Sequence, residues 1–573
     1  MFNQSFQEEF SEFKKAAYQY SKKFPALAPM LGKTSTDPDV ERLFEGVAFL
    51  TTKLNEKLSD DFPEIVHELI RMIIPHYLKP LPAATIIKFN PLDSLSQKQI
   101  IPKGTYIDSE FVHGTKCRFK TCYNTEIHPL KLSEVSYAEV GTKPAAIKFL
   151  LELNNINVSS WEPEALCFHL AGNYREASQL YLHLCNNLKQ ISIYSSDRDN
   201  ISSCVLHPDN LKPVGFSQKE DESLIPYPLN SFQGYRLLQE YFFMPEKFLF
   251  FKLFGWKNWK NRGENSKFEI RFELNNAPEK SLEINNESIC LFATPAVNIF
   301  KGNALPVNIN PKKTNYRVWP VNNKNWIYSI DKVTGIKTQG MKTREYNPFH
   351  KVFDFEQKTP VYNEIINFPP GENSISISIN ITYGKDADLF KDETLSFDVT
   401  CTNGNIPDNL LQDEISKSTD NSPDFADFTN IYAPVSGILP RNDTNFLWRL
   451  LSHLYLNQNS ITNAKQLQSV LELYVPDSKN QTSNKNRIQG IKDIKTKPAD
   501  RFLHGVMLRG TELKIKIDDK NFVSNGDMYI FASTLNAFFG LYSSVNTFTR
   551  LIMEDSKGET YKWQARAGEQ HLI

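Results

Sequence analysis

The sequence predicts an α+β chain of several domains: an N-terminal helical segment, central antiparallel β-sandwich-like domains, and a C-terminal domain mixing helices and strands. Three observations carry this expectation. Apolar residues recur at spacings of three and four through residues 1–82, the period of a helix face. After Pro82 the period drops to two, in short runs bounded by Pro, Gly, Asn and Asp. Beyond residue 430 the helical spacing returns. A chain of 573 residues exceeds one ordinary core, and 40% hydrophobic and 12% aromatic residues place it outside the disordered class.

The first helix is expected from about Ser5 to Lys23, with Phe6, Phe10, Phe13, Ala17 and Tyr20 on one stripe and Pro25 and Pro29 ending it. A second begins after Asp37, which can accept from free backbone N–H groups, with Pro38 at its first position. Its stripe, Val40, Leu43, Val47, Leu50 and Leu54, alternates three and four and reads as a seam for another helix. Asp60 or Asp61 caps a third, with Ile65, Leu69, Met72 and Ile73 on its apolar side and Pro75 near its end.

The expected domain boundaries are a helical segment at 1–82, a β-rich connector at 83–140, and a β-sandwich with a helical insertion at 141–292. A second β-rich domain at 293–412, an acidic linker at 413–430 and an α+β domain at 431–573 follow. The insertion is a helix at about Tyr174 to Asn186. The aromatic run at 242–256 reads as a buried strand, the polar run at 477–486 as an exposed loop, and Gly540 as a helix C-cap.

Several classes of chemistry find no support. Lys plus Arg is 65 and Asp plus Glu 66, without the basic excess of a nucleic-acid binder. The opening MFNQSFQEEF lacks a signal peptide's basic and apolar regions, and no apolar run is long enough to span a bilayer. Seven cysteines without a framework spacing suit a reducing compartment. The strongest metal candidate pairs Cys167 and His169, on one strand face, with His183 and Cys185, two apart on a helix and so divergent. Cys117 and Cys122 lack a second pair. No G-x-S-x-G, Walker A, H-E-x-x-H or G-x-G-x-x-G motif is present, so no catalytic, cofactor or metal residue is assigned.

The run Asp37, Pro38, Val40, Glu41, Arg42, Leu43, Glu45, Gly46, Ala48, Phe49, Leu50 resembles the signature of the TssF family, baseplate wedge subunits of bacterial type VI secretion systems. DDFPEIVHELIRMIIPHYLKPLP, PVSGILPRNDTNFLWRLLSHLYLN and GDMYIFASTLNAFFGLYSSVNTFTRLIM resemble further family blocks. The resemblance implies a non-enzymatic, phage-tail-like structural subunit without cofactors. Two TssF copies would join one TssG as a wedge, contacting TssK, the TssE sheath initiator, the VgrG spike, and sheath or tube proteins. It would work in the cytoplasm, in a membrane-docked assembly, and transmit the trigger for sheath contraction. The stripe residues of the first two helices, Phe6, Phe10, Phe13, Tyr20, Val40, Leu43, Val47, Leu50 and Leu54, are the expected partner interface. Two alternatives have distinct signs. A carbohydrate-binding or adhesive β-sandwich protein would show exposed coplanar aromatics, and a metal-dependent hydrolase would carry stoichiometric metal.

Overall fold

The computed structural model describes residues 2–23, 38–59, 63–138, 145–195, 203–217, 222–227, 233–260, 262–278, 283–310, 313–337, 343–349, 360–367, 375–382, 393–441, 443–454, 463–503, 506–543 and 547–568. The chain is α+β and divides into two compact units. The first comprises Met1–Ile70 and Asn442–Leu451; the second comprises Arg71–Arg441 and Ser452–Ile573.

The first unit is helical. Helix α1 (Phe2–Lys23) packs against α2 (Pro38–Ser59), and α3 (Pro63–Ile73) follows. The expected caps Asp37, Asp60 and Asp61, and the prolines Pro25 and Pro29, lie outside the described residues. On α3 the buried side is Val66 and Ile70, while Leu69, Met72 and Ile73 are exposed. Three residues of the expected apolar side are therefore outward, and the side chain of the fourth, Ile65, lies outside the described set.

In the second unit, two antiparallel sheets face each other through aromatic rings. One carries Ser203–Leu206, Leu188–Ser195, Lys267–Leu274, Ala146–Leu153 and Leu130–Ala138 in that order. The other carries Leu211–Val214, Phe250–Leu253, Leu166–Leu170 and Ile289–Leu291. Phe149 and Phe272 from the first meet Phe168 from the second, with ring centroids 4.9–6.1 Å apart. Helix α4 (Tyr174–Asn186) is inserted between strands of the two sheets. A further sheet orders Ala426–Asn430, Ala84–Pro91, Ala293–Val297, Thr115–Thr121 and Tyr106–Val112. Another runs from Phe300–Asn303 to Asn315–Val318 around its own apolar core. Leu305 N donates to Trp319 O at 2.7 Å, and Val321 N to Asn303 O at 3.2 Å, so its two end strands meet again.

Further expectations are corrected. The segment 413–430 is no linker: Ala426–Asn430 pairs with Ala84–Pro91 and Ile415 is fully buried. Its acidic composition hid a period of two, with Ala426, Phe428 and Asn430 inward. The 83–140 stretch is not one module, since Leu130–Ala138 joins the sheet of Ala146–Leu153 while its other long strands lie elsewhere. The run at 242–256 is the end of α5 (Gln233–Phe243), a 3-10 turn at Pro245–Phe248, and the short strand Phe250–Leu253. Pro245 cannot continue a helix, and an all-apolar run shows no period.

The C-terminal part holds α6 (Thr444–Leu454), α7 (Ala464–Glu472), α8 (Gln481–Gln489) and α9 (Asn525–Tyr542). Helix α8 occupies a run expected to be an exposed loop; it buries Asn484 and Arg487. Gly540 lies inside α9, where an added Cβ would meet the Arg566 side chain at 3.0 Å, so packing rather than capping accounts for it. Helix α9 lies on one face of a sheet formed by Ile491–Leu503, Val506–Ile517, Thr547–Glu554 and Thr560–Lys562.

Candidate partner interface

Helix α2 separates its faces cleanly. With about 3.6 residues per turn, Leu43, Val47 and Leu50 share one stripe, and Ala48 and Thr52 share another. Ala48 and Thr52 are buried, and the Thr52 hydroxyl donates to Ala48 O at 2.8 Å. Leu43 is 65% and Leu50 62% exposed, with Val47 exposed between them. The smaller residues are hidden and the larger apolar ones stand in water, against the direction in which the hydrophobic effect acts. Val40 and Leu54 extend the same register along α2; their side chains, like that of Glu41, lie outside the described set. Valine alternating with leucine at this spacing is the pattern of a two-stranded coiled-coil seam.

Gly46 flanks the stripe in mid-helix, where an added Cβ would touch nothing within 4 Å. A mid-helix glycine costs about 0.5–1 kcal/mol relative to alanine. Among the described residues nothing offsets that cost. Close approach of another backbone to this stripe would.

The other sequence-flagged residues fall as follows. Phe6, Phe10 and Phe13 on α1 are half-buried, Phe6 and Phe10 are stacked at 5.9 Å, and Tyr20 is exposed. Arg42 pairs with Asp39 at 3.7 Å in full solvent, a contact worth little. Glu45 and Phe49 are exposed, Pro38 opens α2, and Asp37 lies outside the described residues.

Sequence reasoning missed two interior networks. Glu240 on α5 accepts from Leu224 N at 2.8 Å and Ile225 N at 3.1 Å and pairs with the fully buried Lys247. Burial lowers the Lys247 ammonium below its usual value, and Glu240 opposes that. Asp527 on α9 accepts from Arg487 at 3.0 Å and from the Tyr174 hydroxyl at 2.8 Å. Arg487 also reaches Asn484 at 2.7 Å, and Asn484 donates to Phe242 O at 2.8 Å. Burial, then Asp527, push the Tyr174 phenol well above its ordinary range. Each carboxylate is engaged by donors from its own chain. The Arg236 and Glu240 spacing on one helix was the available signal.

The metal candidates do not converge. His169 sits against Phe250 at 4.4 Å and near the Tyr432 hydroxyl at 3.4 Å, and burial lowers its pKa to about 3. Burial raises the Cys167 thiol to about 11 and Cys185 to about 12. Among the described residues no group of three or more His, Cys, Asp or Glu could hold a metal ion.

The family model for type VI secretion system TssF matches residues 1–570. The chain belongs to the TssF family. A curated relative from Pseudomonas aeruginosa, the type VI secretion system component TssF1, is 25% identical over 618 residues, covering 98% of each chain. This TssF-family chain is also similar to a chain in a cryo-electron microscopy structure of the TssK-TssF-TssG baseplate subcomplex. The TM-score is 0.77 and the identity 25%, over 92% of this chain and 99% of that one. A chain of a second solved structure, the baseplate complex from the type VI secretion system, shares the fold at TM-score 0.68 and 21% identity, covering both chains fully. Among the described residues no helix is long and apolar enough to cross a membrane, which says nothing of a β-barrel.

Proposed function

We propose that this TssF-family chain is a structural subunit of the type VI secretion baseplate, forming a wedge with a TssG subunit and a second copy of itself. In this reading the helical segment at 1–82 is the assembly module. The β domains are rigid spacers that hold TssK, the TssE sheath initiator and the VgrG spike at fixed separations. The chain performs no catalysis: it holds geometry in one packing and releases it in another, passing the trigger to the sheath. It works in the cytoplasm, in a baseplate docked at the membrane.

The observation that carries the reading is the exposed α2 stripe of Leu43, Val47 and Leu50 beside Gly46. Its helical spacing and its opening at the glycine suit a partner helix. A carbohydrate-binding protein would need coplanar aromatics, which this stripe lacks, and a hydrolase would need a polar cleft. Co-expression with the cognate TssG tests it. The wild-type chain should co-purify as a complex, and Leu50→Asp should lose it while Lys15→Glu keeps it. A stable monomer indifferent to TssG would refute the reading.

A further inference from the structure

The sheet that runs from Phe300–Asn303 to Asn315–Val318 closes on itself at one end only. Where it closes, Leu305 N donates to Trp319 O at 2.7 Å, Val321 N donates to Asn303 O at 3.2 Å, and Ala304 bridges to Pro320. Beyond these bonds the two walls part. Among the described residues no ladder joins Val307–Asn308 to Asn315–Val318: the first pairs with Glu393–Thr402 and the second with Ser376–Thr382. Between them lies an opening of about 520 Å³, lined among others by Val307, Asn308, Ile309, Lys313, Asn315 and Arg317. Ligand clefts span about 300–1,000 Å³.

Both walls turn main-chain groups into this opening. Along a strand, successive residues aim their N–H and C=O at opposite neighbours. Trp319 aims its carbonyl at Leu305, so Arg317 and Asn315, at every second residue before it, aim theirs the same way. On the facing wall Ile309 N donates to Glu393 O at 2.9 Å, so the adjacent Asn308 aims its own groups away from that strand and into the opening. Among the described residues no main-chain hydrogen bond crosses from Asn308 to Asn315 or Arg317. The far end is tied by a side chain in place of a ladder. The Tyr316 hydroxyl accepts from Asn310 N at 3.1 Å and donates to Asn310 O at 2.7 Å. An unpaired strand edge is a template for another strand.

The side chains say what kind of strand would fit. Val307 and Ile309 are half-buried and pack on the apolar core of this sheet, so the inner side of the opening is apolar. Lys313 and Arg317 are exposed on the other side, and neither makes an ion pair among the described residues. The Arg317 guanidinium lies over the exposed Trp319 ring at 3.7 Å, held by an aromatic face rather than by a carboxylate. No Asp or Glu lines the opening.

We propose that this opening receives an extended acidic peptide segment of another protein, which enters as an added strand between Asn308 and Arg317. Its main chain bonds to both walls, and its side chains alternate, apolar towards Val307 and Ile309 and carboxylate towards Lys313 and Arg317. The walls run antiparallel, so the added strand lies parallel to one and antiparallel to the other. The site is independent of the α2 stripe and of the TssG reading.

The experiment is isothermal titration calorimetry of the full-length chain with a synthetic peptide of about seven residues that alternates valine with glutamate, about two turns of the pleat longer than the opening. It should bind one to one. Replacing the glutamates by lysine should abolish binding, and methylating alternate peptide nitrogens, which removes strand hydrogen bonds and keeps every charge, should weaken it at least about tenfold. Lys313→Glu with Arg317→Glu should also weaken it at least about tenfold, and Lys313→Gln with Arg317→Gln by less. Both residues are exposed, so these variants should melt like the wild type. Leu50→Asp, which probes the α2 stripe, should bind the peptide unchanged. Absence of binding at about 1 mM peptide overturns the proposal. So does affinity indifferent to the charge reversal. Equal affinity for the methylated peptide, or full displacement by an equal concentration of inorganic phosphate, would overturn it in favour of a plain anion site. Displacement by duplex DNA that binds more tightly than the peptide would overturn it in favour of nucleic acid.

Discussion

The α2 region and the α8–α9 region invert each other's chemistry. In α2 the large apolar residues Leu43 and Leu50 stand in water while Ala48 and Thr52 are hidden. In the α8–α9 region Arg487, Asn484 and Asp527 are hidden, with their polar atoms satisfied by one another and by Tyr174. Apolar surface left out supports the proposed interface, whereas charge taken in and satisfied marks an interior already complete. The comparison teaches that burial alone does not locate function here. What matters is whether each group's physical demand is met within the chain.

The sharpest way to break that contrast is to remove one member of the completed network. Asp527→Ala should destabilise the chain by about 3–5 kcal/mol, because Arg487 and Tyr174 would stay buried without their acceptor. Urea denaturation would read it, and a loss below about 1 kcal/mol would show that the network is not holding these helices together.

The next effect is acid sensitivity. Burial lowers His76 and His169 to about 3 and His128 to about 4, against 6.5 in the unfolded chain. The folded form excludes protons that the unfolded form accepts below pH 6.5. Stability from these groups is thus fully present above that value and falls as pH drops towards 4. Between pH 7 and 6 the three together should cost about 2 kcal/mol. Melting curves should show this slope, and His169→Phe should reduce it by about a third. An unchanged slope in that variant would mean His169 gains its proton in the folded state.

On the open side of the contrast the fold should barely respond. Gly46→Ala should raise the stability of the isolated chain by about 0.5–1 kcal/mol, since nothing surrounds the new methyl group. Gly46→Leu should leave the chain folded and prevent co-purification with TssG. Destabilisation by the alanine would show that the glycine serves this chain rather than a neighbour. The smallest effect belongs to Leu50→Asp, which should shift chain stability by no more than about 0.5 kcal/mol, because Leu50 is already 62% exposed. A circular dichroism melt that falls well outside that range would place Leu50 in the chain's own packing.

Helix positions in the first unit were legible because their signals are local: Pro38 opens α2, and the stripe spacing persists over several turns. The helix at Tyr174–Asn186 was legible for the same reason. The strand at Ala426–Asn430 was not, because its apolar residues are few and acidic side chains alternate with them. Nor was α8, whose inward face is an amide and a guanidinium; no hydropathy pattern marks a polar side chain satisfied by partners tens of residues away.

By itself the sequence determined the α+β class, the helical N-terminus and the change of period after Pro82. Those follow from repeat spacing and proline geometry, which act over a few residues. The tertiary structure alone decided that Leu130–Ala138 and Ala426–Asn430 join sheets outside their expected segments, and which side of α3 faces water. Strand partners and buried faces are chosen by contacts between distant segments. A residue's period says that it has a preferred side, and only the rest of the fold says what that side meets.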